Sequence, residues 1–111
     1  MKQRVAIARA LANKPKVLLM DEPFGALDLF TKSQMQLLMR EIWQKERTTI
    51  VFITHDIEEA VFLGTKVYVM SASPGRIRDE VNIGLADERE LDIKDTPEFI
   101  SIRKSIHAML H

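Results

Sequence analysis

Over the first two thirds of the chain, apolar residues alternate between helical spacing and short unbroken runs. Val5, Ala8 and Ala12 share one helical face with Ile7 and Leu11 beside it, and Asn13 and Pro15 then mark a stop. This predicts a helix over residues 1–12. Val17, Leu18, Leu19 and Met20 form an uninterrupted apolar run that ends at Asp21, Glu22 and Pro23. Such a run predicts a parallel strand covered on both faces, with two carboxylates just beyond its end.

After a loop over residues 24–27, Asp28 is placed to cap a helix of about 18 residues in which Met35, Leu38 and Ile42 recur at helical spacing. Thr31, Gln34 and Lys45 keep its other side wet. A β-branched run over residues 49–54 leads into His55 and Asp56, and then into a short helix over residues 57–63 closed by Gly64. Residues 67–70 and 77–83 predict two strands of a hairpin, because Pro74-Gly75 in the connection favours a tight reversal. From residue 84 to 95 the pattern turns acidic and irregular. Thr96 and Pro97 then offer an N-cap and a first-turn proline for a C-terminal helix with Phe99, Ile102, Ile106 and Met109 on one face. That helix is expected to pack back as an appendage, which divides the chain into residues 1–83 and 84–111.

Alternating helix and strand predict an α/β sheet with parallel strands, whose ligands lie beyond the carboxyl ends of the strands. Asp21, Glu22 and His55 all fall at that edge. Composition narrows the partners. Sixteen basic residues offset sixteen acidic ones for a formal net charge of +0, so the overall balance calls for neither nucleic acid nor an anionic membrane. With no cysteine there is no disulfide and no thiolate metal site, which fits a reducing cytosol and many other places equally. No apolar stretch approaches the roughly 20 residues of a membrane-spanning helix, and residues 1–14 lack the apolar block of a secretory signal.

Four aliphatic residues followed by Asp-Glu match the Walker B pattern, in which a buried strand aims one carboxylate at magnesium and a second at water. A metal that spreads charge off the β and γ oxygens of a triphosphate needs its carboxylate anchored on a rigid strand, and Asp21 suits that task directly or through a water. Glu22 could orient or deprotonate the attacking water. An imidazole at His55 could hydrogen-bond the γ-phosphate. Other residues carry blander readings. Asp28 serves equally well as a helix cap or as a contact to a partner. Trp43 and Met20, Met35, Met39 and Met70 read as packing material, and Lys2, Arg4 and Arg9 as a solvated basic face. His107 and His111 carry no role.

Taken together, these segments resemble the ATPase domain of ABC transporters. Residues 1–11, MKQRVAIARAL, are similar to the tail of the signature region, VLLMDEP to Walker B, GALD to the D-loop and ITHD to the switch-histidine loop, in matching order. SASPGRI and PEFISIRKSIHAML resemble the nitrate, sulfonate and taurine importer branch. The resemblance implies a partial P-loop NTPase fold, with residues 1–83 as the C-terminal part of the ATPase core and 84–111 as a linker and C-terminal helix. It implies that Glu22 is the catalytic base, His55 the switch histidine, Asp21 the magnesium-associated carboxylate and Asp28 the D-loop aspartate facing a partner subunit. ATP and Mg2+ follow as ligands. A second ATPase subunit arranged head to tail, a membrane permease and, indirectly, a solute-binding protein follow as partners, at the inner face of the cell membrane.

The chain departs from the family by omission. It contains no G-x-x-x-x-G-K-[ST], no Leu-Ser-Gly-Gly, no Q-loop and no helical subdomain. It is therefore expected to be a truncated or internally initiated reading frame, inactive alone and marginally stable. In the family, the strand bearing the phosphate loop lies between the histidine strand and the next one. The strand containing Tyr68 is thus expected to slide in beside the histidine strand or to leave an edge open. The competing reading is a non-catalytic fragment that pairs with a full-length subunit.

Overall fold

The computed structural model describes residues 17–70 and 75–110. The expected helix over residues 1–12, with Lys2, Arg4 and Arg9, lies outside the described residues, as do residues 71–74 of the hairpin connection and His111. The chain divides into two compact units between His55 and Asp56.

In the first unit, strand β1 (Val17–Asp21) pairs in parallel with β2 (Thr49–Ile53), in a register running from Val17 opposite Thr49 to Asp21 opposite Ile53. Parallel strands need a long crossover, and helix α1 (Leu29–Glu46) supplies it. The helix begins where Asp28 predicts, with the Thr31 amide donating to Asp28 Oδ1 at 2.6 Å. It ends without glycine: Arg47 adopts φ 55° and its amide donates to Trp43 O at 2.7 Å.

Met35 is buried as expected, but the buried stripe runs through Gln36, Met39 and Arg40, leaving Leu38 and Ile42 half-buried. Apolar residues are spread around much of this helix, so its pattern under-determines the inward face and packing decides it. The Trp43 ring is met by the guanidinium groups of Arg40 at 4.9 Å and Arg47 at 4.4 Å, a packing role paid in cation–π contact.

β1 is not covered on both faces. Met20 is buried, whereas Val17 and Leu19 are exposed. The apolar run asks for two packed layers, and the described part of this unit provides one. Among the described residues this sheet has two strands, and the Tyr68 strand is not one of them.

The second unit opens with helix α2 (Ile57–Leu63), capped by Asp56, whose side chain accepts from the Glu59 amide at 3.2 Å. It stops at Gly64, where a Cβ would lie 2.8 Å from Ala60 O, so only glycine fits the turn as built. Strands β3 (Lys66–Met70) and β4 (Ile77–Asn82) form the expected antiparallel hairpin, with an irregularity between Val69 and Met70. Gly75, at φ 78°, takes the left-handed conformation near its tip.

After a 3₁₀ turn (Leu91–Asp95), helix α3 (Pro97–Leu110) starts at the expected proline, with the Phe99 amide donating to Thr96 Oγ1 at 3.3 Å. Phe99 and Ile106 are buried, and α3 touches α2, the 3₁₀ turn and β3. The segment between hairpin and helix is irregular but tied down. Arg89, itself buried, donates from Nη1 to Val61 O, Phe62 O and Gly64 O at 2.7–3.1 Å and from Nε to Ala86 O at 2.7 Å. It thereby satisfies carbonyls at the C-terminal end of α2 that a short helix leaves without intrahelical partners. Lys94 adds an ion pair to Glu58 at 3.2 Å and sits over the Phe62 ring at 5.0 Å.

Candidate active site

The carboxyl ends of β1 and β2 lie side by side because the strands are parallel and in register to their last pair, Asp21 and Ile53. One residue further, the Glu22 amide donates to Ile53 O at 2.8 Å, which prolongs the ladder by one bond. Glu22 then turns the chain sharply, at φ 46°, a left-handed conformation that non-glycine residues adopt at a cost of roughly 1–3 kcal/mol when surrounding structure enforces it.

The enforcing structure is local. The Gly25 amide donates to Glu22 O at 3.3 Å and the Leu27 amide to Phe24 O at 3.1 Å, giving two successive turns. Phe24 is fully buried, with its ring 5.5 Å from that of Phe52 at an interplanar angle of 53°. The loop over residues 24–27 is thus pinned by one aromatic side chain against the strand opposite. Phe24 was not legible as an anchor, since a lone aromatic in a loop has no periodicity to betray it.

This geometry brings Glu22 and His55 together. Glu22 Oε1 lies 3.4 Å from His55 Nε2, with the histidine side chain 91 % and the glutamate side chain 44 % exposed. Asp21 is exposed at the same strand end. All three residues expected at the sheet edge are therefore close neighbours along two adjacent strands. Such a set can pass a proton between a carboxylate and an imidazole and leaves a second carboxylate free to face a cation.

Asp28 stands apart from them at the start of α1. Hydrogen bonds from the hydroxyl and amide of Thr31 hold its carboxyl below the usual aspartate range. Its side chain is thus engaged in capping. Immediately after it, Leu29 and Phe30 are 84 % and 74 % exposed, two large apolar residues on the first turn of the helix that the periodicity of α1 did not single out.

Among the described residues there is no group of three or more His, Cys, Asp or Glu side chains that could hold a metal ion. The donors at the strand end are instead one or two carboxylates. That set suits magnesium, which is commonly held by one or two carboxylates together with water and phosphate oxygens, and not a metal needing a full protein cage. Among the described residues no helix is long and apolar enough to cross a membrane.

Comparison with known proteins bears on this arrangement. Residues 1–25 match the family model described as ABC transporter. The chain is 52 % identical over 116 residues to the nitrate import ATP-binding protein of Synechocystis sp., covering 99 % of this chain and 44 % of that protein. It is 51 % identical over 118 residues to the taurine import ATP-binding protein of Rhizobium johnstonii, covering 100 % of this chain and 44 % of that one. The corresponding protein of Pelagibacter ubique is 48 % identical over 114 residues, covering 99 % of this chain and 43 % of its own length. The chain thus spans less than half the length of these relatives. A strand ending in Asp21-Glu22 beside a strand leading to His55, a family match through the first of these strands, and identity near one half across the whole chain place it in the ABC-transporter ATP-binding family.

Proposed function

We propose that this chain supplies the acidic strand end and the histidine of an ATP-hydrolysing site in the ATP-binding subunit of an importer for a small oxyanion or sulfonate. The observation that carries the reading is the 3.4 Å approach of Glu22 Oε1 to His55 Nε2 at the ends of paired parallel strands. The names of the relatives, nitrate and taurine import ATP-binding proteins, supply the cargo class and favour an ATP-binding subunit over an interaction-only fragment.

In this reading Glu22 accepts the proton of the attacking water at Oε1. The ladder bond from its amide to Ile53 O fixes the backbone from which that side chain departs. His55, exposed beside it, can donate from Nε2 to a phosphate oxygen and keep the water in line between the two groups. Asp21 would hold Mg2+, directly or through water. When bound, that ion draws charge off the β and γ phosphate oxygens. Asp28 and the loop before it would face a second ATPase subunit, and the assembled subunit would work with a membrane permease at the cytoplasmic face.

The chain contains no G-x-x-x-x-G-K-[ST] motif, so the triphosphate has to be gripped by residues other than these, and the chain alone is expected to show no MgATP turnover. The test places this chain in the matching segment of the Rhizobium johnstonii relative and measures ATPase activity of the chimera. Glu22→Gln should lower kcat by about 10² to 10⁴, the usual worth of a general base, with a smaller change in KM. A chimera that hydrolyses ATP equally well with glutamine there would sink the assignment of Glu22.

A further inference from the structure

Residues 84–95 carry none of the candidate chemistry, yet they grip one short helix at both ends. Helix α2 has 7 residues, and isolated helices shorter than about 12–15 residues are marginal in water, so it depends on contacts from outside itself. At its carboxyl end the buried Arg89 donates from Nη1 to Val61 O, Phe62 O and Gly64 O. Lys94 takes the other end: its Nζ lies 3.2 Å from Glu58 Oε1 in the first turn and 5.0 Å from the centre of the Phe62 ring one turn on. Glu58 and Phe62 stand at i and i+4 and so share a helix face, which lets one cation engage both. The Lys94 side chain is only 16 % exposed, which sets this pair apart from the solvated surface ion pairs that contribute little.

What this helix follows in the chain is His55. One peptide bond joins that histidine to Asp56, whose side chain accepts from the Glu59 amide at 3.2 Å and whose carbonyl accepts from the Ala60 amide at 3.1 Å. The His55 side chain is 91 % exposed, so its own packing does little to aim it and the backbone on either side has to. Before it stands β2, paired with β1; after it stands the Asp56 cap. We propose that residues 84–95 are a splint for α2, and that Arg89 and Lys94 are positioning residues for His55, steadying the cap into which the backbone of the histidine runs. This role rests on the reading of His55 as a group that contacts phosphate, and it extends the site to a segment that no motif marks. A displacement of about 1 Å at a reacting group can cost about 10² in rate, so a splint remote from the reacting atoms registers in kcat.

The first measurement is made on the chain itself and needs no nucleotide. Amide order parameters at His55 and Asp56 should lie near the rigid value of about 0.85, and Lys94→Met should lower them toward about 0.6 while residues of β1 and β2 keep theirs. Lys94→Arg retains a cation facing Glu58 and Phe62 and should restore them. Arg89→Lys keeps a cation but offers fewer donors to the three carbonyls, and should give the same loss in smaller measure.

The second measurement uses the chimera with the Rhizobium johnstonii relative. Lys94→Met should lower kcat severalfold with little change in KM, and Lys94→Arg should recover most of it. In a His55→Ala background Lys94→Met should cost nothing further, because its effect passes through the histidine. Order parameters that do not change in the free chain overturn the splint. A chimera whose kcat ignores Lys94→Met, or whose loss adds in full to that of His55→Ala as a structural defect elsewhere would, overturns the positioning role. If His55→Ala itself leaves kcat unchanged, the phosphate reading of His55 fails, and the order parameters alone then decide the splint.

Discussion

The two sheets of this molecule bury apolar residues by opposite rules. In the second unit, β3 alternates: Val67 and Val69 point inward and are buried, while Lys66, Tyr68 and Met70 point out, with Lys66 paired to Glu80 at 2.8 Å. One packed side satisfies such a strand, and α3 together with the buried Phe62, Phe99 and Ile106 lies within the same unit. In the first unit, β1 is apolar at four consecutive positions and therefore on both faces, but only Met20 is buried while Val17 and Leu19 meet solvent. An alternating strand can be completed by a small unit, whereas an unbroken apolar strand cannot. Among the described residues the second unit packs the apolar side of its strand and the first leaves one apolar side uncovered, so the second is the more self-sufficient.

The sharpest way to break this comparison is to remove what closes the second unit. Arg89 is buried and donates to four backbone carbonyls, three of them at the end of α2. Arg89→Met keeps much of the side-chain volume but removes these four hydrogen bonds, two of them buried. Hydrogen bonds to charged groups are worth about 1.5–3 kcal/mol each and are not additive, so the loss should be about 3 kcal/mol. Urea unfolding followed by hydrogen exchange reads it. Amides of α2 and α3 should lose protection while those of β1 and β2 change little. If exchange rose equally in both units, the second would not close its apolar surface on its own.

The same contrast explains what could be read from the chain beforehand. Features that depend on neighbours in sequence were legible: the Asp28 cap, the Gly64 stop, and the start of α3 at Pro97 after Thr96. So was the meeting of Glu22 with His55, because parallel neighbours in register end together. Features that depend on a competition between surfaces were not. The apolar residues of α1 left its inward face open, and nothing in Glu46-Arg47 announced a left-handed helix end, since no glycine or asparagine stands there. The exposure of Val17 and Leu19 was hidden for a related reason: an apolar run states what it would bury, not whether a cover is present.

Glu22 holds a left-handed backbone at φ 46° that glycine would hold without strain. Glu22→Gly should therefore stabilise the first unit, by about 1 kcal/mol, because the strain relieved exceeds the weak, largely solvated contact to His55. A rise in the midpoint of thermal unfolding would show that the first unit gives up stability to aim this side chain. A fall would mean that the contact to His55, or the entropy glycine adds to the unfolded chain, outweighs the strain.

The smallest effect expected lies at the start of α1 and reports on charge alone. Hydrogen bonds from the Thr31 hydroxyl and amide hold the Asp28 carboxyl below its usual range, so the folded chain binds that proton less readily than the unfolded chain does. The ionised cap therefore contributes stability that is fully present above the ordinary aspartate value of about 3.9 and is lost as the pH falls through the lower folded value. Asp28→Asn keeps an acceptor oxygen for the Thr31 amide but cannot titrate. The gap in unfolding midpoint between the native chain and the variant should be small and steady from about pH 7 down to about pH 5, and should close below about pH 4. A gap that stayed constant through the acid range would mean that Thr31 does not favour the charged carboxylate. In that case the first unit's helix would be held at its start by geometry alone, as it is at its end, where Arg47 closes it with no glycine.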